Sequence, residues 1–318
     1  MKYDWLMKIN GNEENLDDFI SRFQNNQNDF VCFLGAGLPS MVKGMYDAKG
    51  LAISLNKEYG KRYKYKDDLS NHSSKIYKSL EEKEKAGFYK KVFKKVKVLE
   101  SIGTHHELVK IFSWFVTINY DDPIEEAYKS VHKKELKRYY FSFPNGVVED
   151  EGIVYLHGHD DIGFGILRKE DYKYFYSFLD GRFLGIPTML NSYEYLFTKK
   201  HLVLCSTSFE NNIRDTFEYL NASIKKGNKK EHFWIVGKNA WEKCILSSLG
   251  QPENDKEKKE YKEYFQKGIG GFFQKYNIKP IIYTDASNHQ ALKLLCGSVN
   301  YAIGTKLEEP KEEGKSRV

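Results

Sequence analysis

The sequence predicts an α/β protein: a Rossmann-like parallel sheet flanked by helices, with a helical insertion. Three observations carry this. Apolar runs of four to six residues recur along the chain, as strands buried on both faces require. Helical patterns fill most of the gaps between them, as the crossovers of a parallel sheet must. Polar loops follow directly on three of the runs, and nucleotides bind at the carboxyl ends of strands in open parallel sheets.

Taken in order, residues 1–29 are polar and acidic, and the amphipathic stretch Leu16-Asp-Asp-Phe-Ile20 predicts a leading helix. Phe30–Leu34 is the first strand. Residues 40–110 are Lys-rich and helical in pattern, interrupted at Asn71-His-Ser-Ser74. Within them Val92, Phe93 and Val96 fall near one helical face. The neighbouring lysines can meet phosphates, but a charge run is more often a solvated face. Trp114–Ile118 is the next strand, and Pro123 suits the first turn of the helix that continues through Ile124–Tyr128. Arg138–Phe141 and Ile153–Leu156 are two further strands, separated by the turn signal Pro144-Asn-Gly146. Residues 160–200 read as a helical insertion rich in Tyr and Phe. His201–Cys205, Phe233–Val236 and Pro280–Tyr283 complete the set of strands. One domain is expected over 1–304, with helical insertions at about 40–110 and 160–200. The charged tail 305–318 is expected to fray.

Composition excludes several classes. With 41% hydrophobic and 15% aromatic residues in 318, the chain is globular rather than disordered. A net charge of +6 and a pI near 8.8 permit a polyanionic partner. A lysine-rich surface explains them more simply. No helix-turn-helix, finger or RNP signature is present, so direct nucleic-acid binding is not expected. Cys32, Cys205, Cys244 and Cys296 are scattered, which predicts no disulfide framework and no four-Cys zinc site. The start of the chain lacks an apolar signal core and no stretch reaches membrane-span length. A cytoplasmic protein is expected.

Three motifs carry chemistry. Gly35-Ala-Gly37 follows the first strand, and two glycines let backbone approach a pyrophosphate near the N-terminus of a helix starting around Ser40. A tight turn without a ligand explains these glycines about as well. Thr117-Ile-Asn-Tyr-Asp121 places a hydroxyl, an amide and a carboxylate directly after a buried strand. Helix capping by Asp121 or Asp122 would account for one carboxylate, but not for Thr117 and Asn119. His157-Gly158 puts an imidazole at a strand end, where it can act as a base near neutral pH, and the glycine leaves room for a ligand. The bland alternative is a histidine bonded to a loop carbonyl. His157 and His159 with Asp160 also suggest a metal, but no second ligand cluster supports one, so no metal is expected.

Gly-Ala-Gly, T-x-N-Y-D and H-G, in this order on successive strands, resemble the sirtuin-like (Sir2-type) NAD-hydrolysing proteins of bacterial antiphage defence. Leu202–Phe209 with Asn212-Ile213 is similar to that family's late G-[YT]-S-[LF]-x-D-x-x-I segment. Asn288-His-Gln-Ala-Leu292 resembles the start of its closing helix. The resemblance spans roughly residues 25–300. There are departures. Gly37-Leu-Pro-Ser40 merges two family motifs, Ser206 replaces a late-strand Gly, and Glu210 stands for an Asp. The Arg-containing loop and four-Cys zinc module of protein deacylases are lacking.

The resemblance implies an NAD glycohydrolase that yields nicotinamide and ADP-ribose, acting in abortive infection. It implies His157 as base and Asn119 as the residue that orients water and binds the ribose. Asp121 would hold the carboxamide or balance the cation. Gly35, Ala36, Gly37 and Ser40 would surround the pyrophosphate, with Thr117 in the same NAD-binding set. Thr207 and Ser208 would lie near the adenine ribose. Control by self-assembly or by a partner such as a HerA-type ATPase is expected, with the 160–200 insertion as a candidate contact surface. The alternative is a catalytically weak subunit that binds NAD or ADP-ribose as a scaffold. Hydrolysis and ADP-ribosyl transfer, and NAD and NADP, are not separated by the sequence.

Overall fold

The computed structural model describes residues 3–35, 48–66, 68–96, 103–143, 151–181, 187–207, 209, 211–249, 269–284 and 287–308. The strands are β1 (Phe30–Leu34), β2 (Trp114–Thr117), β3 (Arg138–Tyr140), β4 (Gly152–Tyr155), β5 (Gly158–His159), β6 (Phe164–Gly165), β7 (His201–Cys205), β8 (His232–Gly237) and β9 (Ile278–Tyr283). Seven form one sheet in the order β3-β4-β2-β1-β7-β8-β9. All of its pairings are parallel, as expected. Predicted strand ends shift by at most two residues.

The topology positions the site. From β1 the chain builds β2, β3 and β4 on one side, then crosses to build β7, β8 and β9 on the other. The order therefore reverses between β1 and β7, and the crevice beyond such a reversal is where an open α/β sheet receives ligands.

Helix α1 (Asn12–Asn25) precedes β1. Then come α2 (Ala48–Glu58), α3 (Leu69–Lys78), α4 (Glu82–Ala86), α5 (Phe88–Val96) and α6 (Gly103–Ile111). Helix α7 (Pro123–His132) follows β2, and α8 (Lys169–Phe175) and α9 (Pro187–Lys199) precede β7. The last four are α10 (Asn211–Ser223), α11 (Lys238–Leu249), α12 (described over 269–276) and α13 (Asn288–Glu308).

Period-two alternation along the strands feeds two cores. Phe30, Cys32 and Leu34 of β1 pack with Phe19 of α1, Leu108 of α6, Ile124 of α7 and Leu295 of α13. Val31 and Phe33 face the other way, onto Tyr193 of α9, Phe217 of α10, Trp241 of α11 and Phe272 of α12. Each such buried apolar side chain contributes about 1.5–3 kcal/mol. The edge of β9 is closed by α1: Asn12 Nδ2 donates to the Ile282 carbonyl (2.7 Å), and Asn12 Oδ1 accepts from the Ile282 N–H (2.8 Å). This blunts an edge that would otherwise invite further pairing.

Helices α2, α3 and α5 share a smaller core of Leu51, Leu55, Ile76, Phe88, Val92 and Phe93. It docks on α8 through Tyr89 and Arg168, which both bond Asp171. Helix α6, at the end of the stretch read as an insertion, packs instead into the main helical layer.

Three details differ from expectation. Asn71–Ser74 does not interrupt a helix but lies within α3. Asp68 caps that helix by accepting the Asn71 N–H (3.0 Å), and the buried Ser74 hydroxyl donates to Glu170 (2.7 Å). Residues 160–200 adjoin a short antiparallel hairpin, β5 with β6, as well as containing helices. Finally, α13 runs to Glu308, so the first residues of the predicted tail are helical.

Candidate active site

Gly35 follows β1 at the reversal point. Its N–H donates to the Cys205 carbonyl (3.2 Å), extending the β1–β7 ladder. A Cβ here would lie 2.5 Å from Thr207 Oγ1 and 2.6 Å from Thr207 Cα. Glycine is thus required by close backbone approach. Ala36, Gly37 and Ser40, and likewise Ser208, lie outside the described residues. Thr207 is buried beside Gly35. Its hydroxyl donates to the Cys205 carbonyl (3.2 Å) and its own carbonyl accepts from Trp234 Nε1 (3.1 Å).

Ser206, where the resembling family has glycine, holds a left-handed backbone with φ of 52°. Its buried hydroxyl has no hydrogen-bond partner among the described residues. Left-handed backbone costs a non-glycine residue about 1–2 kcal/mol, partly offset by the greater unfolded-state freedom of glycine. Ser206→Gly is therefore expected to stabilise the protein by about 0.5–1 kcal/mol. Calorimetry should show a raised Tm; an unchanged or lowered Tm would contradict this account of the turn.

The second motif leaves β2 next door. Thr117 Oγ1 accepts the Asn119 N–H (3.0 Å) and donates to the Leu34 carbonyl (3.4 Å). Asn119 Nδ2 donates to the Gly35 carbonyl (3.1 Å). The first two motifs are therefore bonded directly to each other. Thr117, Asn119 and Asp121 line one small cavity with Leu34, His105 and Pro123. Its free space suits about one water molecule.

Burial, reinforced by the Asp122 and Glu125 charges, pushes the Asp121 carboxyl up to about 8 from an ordinary 3.8. The folded protein thus keeps Asp121 protonated where the unfolded chain ionises it. Stability from this group is present at acid pH and is lost as pH rises toward 8. Asp121→Asn should accordingly gain stability relative to the parent as pH rises from about 5 to 8. Parallel Tm curves for the two proteins across that range would refute the raised value.

His157 follows β4, the neighbour of β2, and the Leu156 N–H donates to the Thr117 carbonyl (2.9 Å). The imidazole is buried. Nε2 meets the Tyr176 hydroxyl (2.9 Å), which meets the Tyr193 hydroxyl (3.2 Å), and the Tyr172 ring stands edge-on at 5.4 Å. Burial alone drops the His157 pKa to about 3, so the ring is neutral at physiological pH. Asn119 and His157 thus sit at the ends of adjacent strands, but their side chains have different surroundings. His157 does not line the small cavity at Asn119.

Gly158 is required by the hairpin. Its φ is 86°, and a Cβ would strike the Phe164 carbonyl across the β5–β6 pair.

That hairpin also builds a network with no sequence signature. His159 Nε2 bonds Asp122 Oδ1 (2.7 Å). Burial raises the Asp122 pKa, but this bond and the Arg138 charge outweigh it and hold the carboxyl below its ordinary range. The Asp122 carboxylate is therefore not used to cap α7; Pro123 opens that helix without it. Arg138 bridges Glu125, Asp122 and Asp161. The Tyr155 hydroxyl bonds Glu125 and donates to the Asp121 carbonyl (3.2 Å). Ligand atoms of Asp122, Glu125 and His159 lie within 4.8 Å of one another, close enough to hold a metal ion. The Arg138 guanidinium already supplies positive charge there. As built, the network clamps the Asn119–Asp122 loop to the His157–His159 hairpin.

A family model described as a SIR2-like domain matches residues 113–281, more than half of the chain. The match runs from β2 into β9 and so includes Asn119 and His157 but not Gly35. Among solved structures, a crystal structure of a Sir2 homolog in complex with NAD aligns over 89% of this chain and 94% of its own. Identity there is 12% and the TM-score is 0.37, a loose likeness. No curated protein matches. No helix among the described residues is long and apolar enough to cross a membrane.

Proposed function

The chain belongs to the SIR2-like domain family, and from that premise we propose that it is an NAD glycohydrolase of bacterial antiphage defence, acting in the cytoplasm. The reading rests most on one observation, the Asn119 amide bonded to the Gly35 carbonyl beside the β1–β7 reversal. This joins two of the three motifs where an α/β sheet takes a dinucleotide. The buried Ser206 hydroxyl beside them has no hydrogen-bond partner among the described residues.

In the proposed reaction the bond between nicotinamide nitrogen and ribose C1′ breaks. Its electron pair leaves with nicotinamide, which departs neutral, so no strong general acid is needed. Water attacks an oxocarbenium-like centre, and its proton passes to His157. The buried imidazole is neutral, the form that can take a proton. Asn119 orients the water and the ribose. Protonated Asp121 bonds the carboxamide. Gly35, Ala36, Gly37 and Ser40 are assigned to the pyrophosphate, and Thr207 and Ser208 to the adenine ribose. Thr117 positions Asn119 through the bonds already described.

The Tyr176 contact covers His157, and the cavity at Asn119 is small. These features favour an enzyme silent until self-assembly or a partner, such as a HerA-type ATPase, opens the site. They equally favour the second reading, a binder of NAD or ADP-ribose with little turnover. Incubating purified protein with NAD, dilute and concentrated, separates the two. Release of nicotinamide with ADP-ribose is the expected result. A raised Tm without product at either concentration would exclude activation by self-assembly and favour the binder, and neither effect would refute both.

A further inference from the structure

The chain's positive charge is concentrated in one module. Residues 48–96 hold fourteen Lys and Arg against six Asp and Glu, a net of +8, whereas the whole chain is +6. The remainder is thus slightly acidic, and the basic character belongs to α2–α5 and their connections.

Within the module some cations are ion-paired and others, Lys49, Lys57 and Lys90 among them, are exposed without an ion pair to a described residue. Lys78, Lys83, Lys85 and Lys91 pair with Glu170, Glu81, Glu82 and Glu58. Arg62, Lys64, Lys66 and Lys75 are exposed and make no ion pair with any described residue. The first three alternate with tyrosines in Lys61-Arg-Tyr-Lys-Tyr-Lys66, the irregular connection between α2 and α3. This connection is held in place. Asn56 Nδ2 donates to the Tyr63 carbonyl (2.7 Å), Lys61 N–H donates to the Asn56 carbonyl (2.8 Å), and Lys61 Nζ reaches the Ser79 carbonyl (3.4 Å). Tyr65 turns inward, its ring 5.9 Å from that of His72. Lys75 lies one turn beyond His72 on α3 and influences it electrostatically, which brings it to the same side. Tyr63 stays 37% exposed.

We propose that the Lys61–Lys66 connection, with Lys75, is a binding face for single-stranded nucleic acid. Cations at alternate positions, without an ion pair among the described residues, meet backbone phosphates. The exposed Tyr63 ring offers a platform on which an unpaired base can stack, a contact that a duplex, with its bases already stacked, cannot supply. The inference does not depend on NAD cleavage, since none of these residues belongs to the candidate active site.

Fluorescence anisotropy with the full chain tests it, using labelled oligothymidylate, oligouridylate and a DNA duplex at salt from about 50 to 200 mM. Single strands should bind more tightly than duplex, and binding should weaken with salt. The triple variant R62A/K64A/K66A should lose at least about tenfold in affinity and flatten the salt slope by about 2, near 0.7 per lost phosphate contact. Tyr63→Ala should weaken single-strand binding by about tenfold. Lys83→Ala with Lys85→Ala, which removes ion-paired lysines, should change neither. Circular dichroism confirms that each variant is folded. Comparing the thymidylate and uridylate arms shows whether DNA or RNA is preferred. Three results would each overturn the proposal: no binding at low salt, unaltered binding by the triple variant, or equal duplex binding with Tyr63→Ala silent.

Discussion

His157→Ala is expected to reduce nicotinamide release by about 10²–10⁴-fold, the usual worth of a positioned general base. Asn119→Ala is expected to cost about 10²–10³-fold, as losing a preorganised polar contact does. Both proteins should still fold. Without its side-chain amide, Asn119 forfeits one hydrogen bond to Gly35, about 1 kcal/mol. Without the imidazole, Tyr176 keeps its contact with Tyr193. Such losses are small beside a domain stability of about 5–15 kcal/mol. Nicotinamide release at matched concentration, with circular dichroism on each sample, gives the answer. Parent-like turnover by both variants would remove these residues from the chemistry.

The largest effect on stability is expected at Arg138. Its guanidinium bridges three carboxylates, two of them buried. Burial already pushes Glu125 up to about 7 despite help from Tyr155 and Arg138. Taking the arginine away strands Asp122 and Glu125 with like charge, leaving His159 on Asp122 and the neutral Tyr155 hydroxyl on Glu125. Arg138→Ala should therefore cost about 3 kcal/mol. Arg138→Lys should rescue little, because a single ammonium cannot fork across several carboxylates. Adding Glu125→Gln to Arg138→Ala should recover part of the loss by neutralising one stranded charge. Urea denaturation of the set measures this. A loss below about 1 kcal/mol for Arg138→Ala would mean that the network is not the clamp described.

How much of the molecule is legible in its sequence follows from what makes each feature. The strands are visible because runs such as Phe30–Leu34 and His201–Cys205 are apolar on both faces, a local property. Asn71–Ser74 looks like a break because polarity is also local information. The burial of Ser74 depends on Glu170, far along the chain. The two-residue strands of the β5–β6 hairpin are too short to leave a periodicity. At the site, Asn119 and His157 stand out through their motifs. Arg138, Glu125 and Tyr155 do not, since their partners come together only when β3, β4 and α7 pack. His159 reads in sequence as a metal candidate; its Asp122 bond is invisible until β5 is placed.

The claim on which the account turns is that the ends of β1, β2, β4 and β7 surround a single dinucleotide. Hydrogen exchange with and without saturating ADP-ribose, a ligand that hydrolysis does not consume, tests it most directly. Protection is expected to concentrate at Leu34–Gly35, Thr117–Asp122, His157–His159 and Ser206–Thr207. Protection confined to other segments, or none at any ADP-ribose concentration, would contradict it.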